Sequence, residues 1–310
     1  MKKGTTGVTL VLSGLTLTSK TTAPIICAKS TEVTIVAAAN TENTLTDTEN
    51  NNADDGGAEA ESAVIKCKDG STVTLCGTGT LNVIANGKNG IKSGASTESE
   101  GDASLTIREL TLNITAPVND AVNAEAALNV ESGILTIAAG DDALHCDNAM
   151  NIGAESTAGP SITITTCYEG LEGAAVNIYS GDVSIAATDD CINAANPSLS
   201  GYQYQLNISG GTIVAYTTSG DGFDSNGDIT ISGGTVAVWT ANAADNSPLD
   251  ADGTVTISGG TVLAAGGSGG MGMNLSAQQP CVTFGSTGGP CRLRVVAARS
   301  TVYASAISSC

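Results

Sequence analysis

The sequence predicts an all-β chain wound as a parallel β-helix, a solenoid of about 11 coils. Three observations carry that reading. A strand–Gly-Gly–strand unit recurs in phase along the chain. A polar turn with an aliphatic residue inside it follows most copies. Helical periodicity is lacking, and Thr, Val and Ile are abundant, as strands prefer.

The clearest copies are Leu206–Ile213, Ile229–Val236 and Val255–Val262, with weaker ones at Leu128–Leu135 and Val176–Val183. Each is a short strand, a turn at the Gly pair, and a second strand. Alternation sends Ile229, Ile231, Val236 and Val238 inward as aliphatic ladders. The third element is the polar turn: Asp141–His145, Glu169–Glu172, Asp190–Asn193, Asp221–Asp224 and Pro248–Asp250, with degenerate copies at Asn89–Lys92 and Asn119–Asn123. The turn positions Asn89, Asp120, Asp142, Glu169, Asp190 and Asp221 fall roughly 20 to 30 residues apart. A unit of that size cannot bury its own apolar side, whereas stacked coils can. At roughly 4.8 Å per coil the rod would be about 50 Å long. A β-sandwich is the alternative, but sandwiches rarely carry one motif repeated in phase.

The expected organisation is a single domain over 1–310, with polar loop insertions near 47–61, 95–103, 154–160 and 196–205. The opening Met1-Lys2-Lys3 and Val8–Leu12 superficially match a secretion signal. Apolar residues alternate with Thr or Ser through Gly14–Thr18, so residues 8–39 are expected as strands of the first coils. Neither end shows an amphipathic capping helix, and Arg292–Ser309 still alternates.

Charge narrows the partners. The chain carries Lys+Arg 12 against Asp+Glu 31, a formal charge of −19, which opposes nucleic acid or an anionic membrane as partner. One His excludes mechanisms needing two imidazoles or a multi-His zinc site. A run of about 20 apolar residues, long enough to cross a bilayer, does not occur. Between Arg108 and Arg292 there is no Lys or Arg, yet 19 acids lie there. Carboxylates so placed need either cations or full solvation.

The Asp-Gly-Ile-Asp-like turns, alternating with Ile-Thr-Ile-x-Gly-Gly-Thr-Val strands, resemble the calcium-binding, carbohydrate-binding β-helix family of cellulolytic clostridia, whose fold is like that of pectate lyases. The likeness covers most of the chain and is weakest over Asn50–Glu61. It implies a right-handed parallel β-helix, calcium at the acidic turns, and binding of acidic or cellulosic polysaccharide. The chain departs from the family pattern in its nine Cys, in Ala143, Cys191 and Pro248 where turn Gly is expected, and in Asn, His or Lys at some acidic positions.

Stacking places equivalent turn residues about 4.8 Å apart, and calcium takes six to eight oxygens at about 2.3–2.6 Å. Carboxylates of successive coils can therefore share an ion. The expected ligands are Asp141, Asp142, Glu169, Glu172, Asp189, Asp190, Asp221, Asp224, Asp250 and Asp252. His145 occupies a turn position where other coils carry Asp, Glu or Asn. It reads as a surface His, or as a zinc ligand with Cys146 and Asp147. Tyr216 and Trp239 fall at the same repeat register and point outward, which suits sugar stacking.

Catalysis is the less favoured reading. A lyase base is available only as Lys88 or Lys92, and a carboxylate hydrolase would draw on Asp189, Asp190 and Asp221. The cysteine spacings match no zinc signature; Cys67/Cys76 and Cys281/Cys291 could clip local loops, Cys146, Cys167 and Cys191 could lie on neighbouring coils, and Cys310 is the obvious free thiol. With sequons at Asn113, Asn207 and Asn274, these cysteines suggest an extracellular or cell-surface protein. The expectation is a non-catalytic, calcium-dependent polysaccharide binder. The second reading is a filament or surface-layer subunit, self-associating end to end through open strand edges.

Overall fold

A computed structural model describes residues 1–94, 103–196, 203–241, 246–267, 274–283 and 293–297, with side chains as far as residue 281. The strands form three ladders of stacked parallel pairs, consistent with a right-handed parallel β-helix. The first ladder runs Val8–Leu12, Glu32–Ala37, Thr72–Cys76, Ser104–Ile107 and Ala127–Val130, then through the second half of Leu144–Ile152 and of Leu171–Ile178. It continues through Gln205–Ile208, Asp228–Ile231, Val255–Ile257 and Leu275–Ala277. The second runs from Thr16–Thr18 through Thr111–Ala116 and Thr212–Thr217 to Thr261–Ala265. The third begins at Ile25–Cys27 and Ala63–Cys67 and passes through Asn89–Ser93, Val122–Ala124 and the first half of Leu144–Ile152. It goes on through Leu171, Ile192 and Phe223 to Leu249. Residues 8–39 are strands, as their alternation predicts.

Register keeps like residues on like. Leu128, Met150, Val176, Leu206, Ile229 and Val255 follow one another inside the first ladder, each essentially buried. A one-residue slip would expose the whole row, so the aliphatic pattern fixes the pairing. Outside the same ladder, Asn129, Asn151, Asn177 and Asn207 form a second row. Each amide nitrogen donates to the carbonyl oxygen of the Asn one coil back, at 2.9, 3.1 and 3.0 Å. Asn suits this because one side chain holds both donor and acceptor. The sequon residue Asn207 is thus engaged in the row, and Asn113 likewise donates to Asn82 at 2.9 Å.

The Gly pairs make the corner between the first and second ladders. Gly234 has φ 80°, and an added Cβ would stand 2.8 Å from the carbonyl oxygens of Gly210 and Gly211 one coil back. Both the left-handed backbone and the close coil-to-coil approach therefore demand glycine there.

Of the expected insertions, that at 47–61 carries a 3-10 turn, Ala53–Asp55, capped by Asn52, and that at 154–160 is an irregular loop. Residues 95–102 and 197–202, within the other two, lie outside the described residues, as do Cys291 and Cys310. The parallel stacking of the second ladder stops at Thr261–Ala265, because Leu293–Ala297 pairs with it antiparallel and with Cys281–Thr283 in turn. No helix among the described residues is long and apolar enough to cross a membrane.

Candidate functional site

The third ladder begins at a corner, and there the polar turns align. Backbone N–H groups of Gly90, Ala121, Ala143, Gly170, Cys191 and Gly222 donate to the carbonyls of Asp120, Asp142, Glu169, Asp190, Asp221 and Ser247, each one coil on. Asn89, Asp120, Asp142, Glu169, Asp190, Asp221 and Ser247 therefore form one column. Three residues further along each turn, Lys92, Asn123, His145, Glu172, Asn193 and Asp224 form a second column beside it.

The first column has a structural duty. A corner leaves the backbone N–H of the turn residue without a ladder partner, and a buried orphan donor is costly. Carboxylates of the preceding coil accept it: Asp120 from Asp142 N at 3.3 Å, Asp190 from Asp221 N at 2.6 Å, and Asp221 from Ser247 N. These bonds occupy one oxygen of each carboxylate; the second oxygen of Asp120 accepts from Asn123.

The acidic edge divides into two halves. In the first, nitrogen groups of the protein answer the acids. Asn123 donates to Asp120 at 2.6 Å, and Asn193 donates to both oxygens of Glu169 at 3.2 Å. His145 is the larger correction, being neither an idle surface residue nor partnered by Cys146. Its Nδ1 meets Glu172 and lies 3.2 Å from Asp142, while Nε2 lies 2.9 Å from Asp147. Cys146 points inward and donates its thiol to the Ala149 carbonyl at 3.3 Å. Burial alone would lower the His145 pKa; the three carboxylates outweigh it and raise the pKa far above the ordinary imidazole value. Glu172 is lowered, because hydrogen bonds with His145 and Asp142 overcome its burial. His145 thus acts as a resident cation between two coils, a role the Lys and Arg count alone misses. Replacing it with Ala leaves three carboxylates facing one another. The variant is expected to lose about 3 kcal/mol, read as a lower thermal midpoint in calcium-free buffer; an unchanged midpoint would refute the role.

In the second half no Lys, Arg or His stands between the acids. Asp221, Asp224 and Asp250 offer ligand oxygens that lie within 4.8 Å of one another. Burial, reinforced by these neighbours, pushes Asp221 and Asp224 up to about 6, and Asp190 is pushed up to about 7. Oxygen-only donors on adjacent coils are the donor set a hard divalent cation takes. The remaining expected ligands are less gathered. Asp141 groups with Asp120 and Asp142, within the same 4.8 Å limit. Glu169 is turned to Asn193 and is pushed up to about 9 by burial and by Glu172, Asp142 and Asp190. Asp189 lies beside the exposed Tyr168, whose pKa it raises, and Asp252 is exposed two residues beyond Asp250.

Around the corner, on the outside of the second ladder, Tyr216 and Trp239 are register partners, with ring centroids 5.7 Å apart and planes tilted by 32°. Trp239 is 40% exposed, and Ala186 and Ala265 continue its row. The adjacent outward row is Ser184, Val214, Ala237 and Leu263, with Val214 and Leu263 each 39% exposed. The two rings, flanked in their row by Ala186 and Ala265 and bordered by Val214 and Leu263, form an apolar strip, of the kind to which the C–H faces of sugars adhere.

A family model described as "Carbohydrate-binding domain-containing protein" matches residues 2–270. The chain belongs to that family. This carbohydrate-binding domain protein is also similar to a solved structure titled as the polysaccharide lyase-like protein from C. thermocellum, gadolinium derivative. Identity is 24%, 86% of this chain and 75% of that chain are covered, and the TM-score is 0.35. No match to a curated protein was found.

Proposed function

We propose that the chain is an extracellular, calcium-dependent, non-catalytic polysaccharide-binding β-helix. The observation that carries the reading is the Tyr216–Trp239 pair, the first half-buried and the second exposed, aligned by ladder register on an apolar strip whose strands lead into the acidic corner. Membership of a carbohydrate-binding family supports it. Sugar rings lie along the strip, and the acidic edge holds calcium chiefly through Asp190, Asp221, Asp224 and Asp250. Bound calcium offsets the carboxylate repulsion that would otherwise loosen the corner beside the rings.

Binding is favoured over end-to-end assembly by the antiparallel strand Leu293–Ala297, which interrupts the second ladder's parallel edge. It is favoured over lyase chemistry by Lys88, whose ammonium is ion-paired with Asp54. The polysaccharide is acidic or cellulosic. Co-sedimentation with insoluble pectin and cellulose, in calcium and then in chelator, tests the reading. The expected result is retention on one of them in calcium and release by chelator. Equal recovery in the supernatant under both conditions would refute it.

A further inference from the structure

We propose that Cys27 and Cys67 are a disulfide-forming pair that covalently joins two successive coils of the third ladder. The inference is independent of the glycan-binding reading. Ile25–Cys27 and Ala63–Cys67 are parallel neighbours in direct register, Ile25 on Ile65 and Cys27 on Cys67. Both sulfurs face inward and both residues are fully buried. The register corrects the local pairing suggested by sequence spacing: Cys67 lies opposite Cys27 in the third ladder, whereas its near neighbour Cys76 pairs with Val36 in the first.

Neighbouring strands lie about 4.8 Å apart, inside the Cα separation of about 4.4–6.8 Å that a disulfide spans. The Cβ atoms must approach by several tenths of an ångström, since a disulfide brings them to about 3.5–4.5 Å. Among the described residues Ala63–Cys67 is the one strand partner of Ile25–Cys27, whose other side is held by the Met1 amine donating to the Ile26 carbonyl, so a small approach to Ala63–Cys67 breaks no second ladder. The same inward row continues as Ser93 and Ala124, which carry no sulfur, so a thiol at Cys67 has its match on one side only.

The chemistry is thiol–disulfide exchange with a small-molecule or protein disulfide as oxidant. Cys27 reacts first, because its neighbour Cys67 lowers its pKa. Its sulfur attacks the oxidant, forming a mixed disulfide and expelling one thiolate. The Cys67 sulfur, deprotonated as the second thiolate leaves, then attacks the Cys27 sulfur and closes the bond. Two protein thiols lose two electrons and two protons; one oxidant disulfide becomes two thiols. The bond closes a loop that contains the polar insertion at 47–61, restricting the unfolded chain.

The full chain, equilibrated in oxidised and reduced glutathione, alkylated and digested with trypsin, supplies the test. The expected product is peptide 21–29 linked to peptide 67–68, two hydrogens lighter than the free pair and absent after reduction. Reduction is also expected to lower the thermal midpoint by on the order of 5 °C, and to leave a Cys27→Ser variant unmoved. Recovery of both cysteines as alkylated thiols, or of Cys67 linked to the peptide containing Cys76, would overturn the assignment.

Discussion

Stripped of divalent cations, the protein is expected to lose stability steadily as the pH is raised from about 5 to about 9, and calcium is expected to abolish the part of that loss that comes from Asp190, Asp221 and Asp224. The sign follows from the turn acids. Asp120, Asp142, Asp221 and Asp224 are pushed up to about 6, Asp190 to about 7 and Glu169 to about 9, in every case by burial first and by neighbouring carboxylates in support. In that window the folded chain holds protons that the unfolded chain has already released, so raising the pH favours unfolding. His145 acts in the same direction, since it is protonated in the folded chain above the pH at which an unfolded His becomes neutral. Glu172, with a lowered pKa, contributes in the opposite sense only in acid, below this window. Calcium binds the deprotonated carboxylates and releases their protons, which reverses the dependence where it is bound. Over the whole window the midpoint in chelator should fall by on the order of 10 °C. Differential scanning calorimetry at matched ionic strength measures it. A midpoint equally flat with and without calcium would show that the acidic edge is simply solvated.

The second large effect concerns binding. Replacing both Tyr216 and Trp239 with Ala should weaken polysaccharide binding by about tenfold or more, while leaving the thermal midpoint nearly in place. Trp239 is substantially exposed and its row is not part of the aliphatic interior, so little packing is lost with it. The separation between affinity and stability distinguishes a binding platform from a surface that merely covers the second ladder. Unaltered affinity in the double variant would place the sugar elsewhere.

Most of the fold was legible because repetition writes it twice. Ile229-Thr230-Ile231 and its copies give both the inward direction of each side chain and the register between coils, and Phe223 falls on Ile192 as the repeat requires. The register of Tyr216 with Trp239, and the common edge of Asp142, Glu169, Asp190 and Asp221, followed from the same counting. What escaped was partnership between side chains. The Asn row was visible as Asn at one position of the copies at 129, 177 and 207, but the hydrogen bonds that make it a row depend on the coil spacing. His145 was seen at its turn position. Its two coil partners emerge only when three-residue and one-coil neighbours are combined, which turns an isolated imidazole into the counter-charge of Asp142 and Glu172. Cys27 and Cys67 are far apart in sequence and joined only by ladder register. Sequence spacing favours near neighbours, and a solenoid systematically defeats it.

On the half of the edge that lacks internal cations, stacked turns are proposed to gather carboxylates into a site for a divalent cation. Anomalous diffraction from crystals grown in calcium addresses it most directly. An ion is expected within about 2.3–2.6 Å of carboxylate oxygens from the Asp221, Asp224 and Asp250 group, and none between Asp142 and Glu172, where His145 stands. Saturating calcium with no ion at that group, or with one displacing His145 instead, would contradict it.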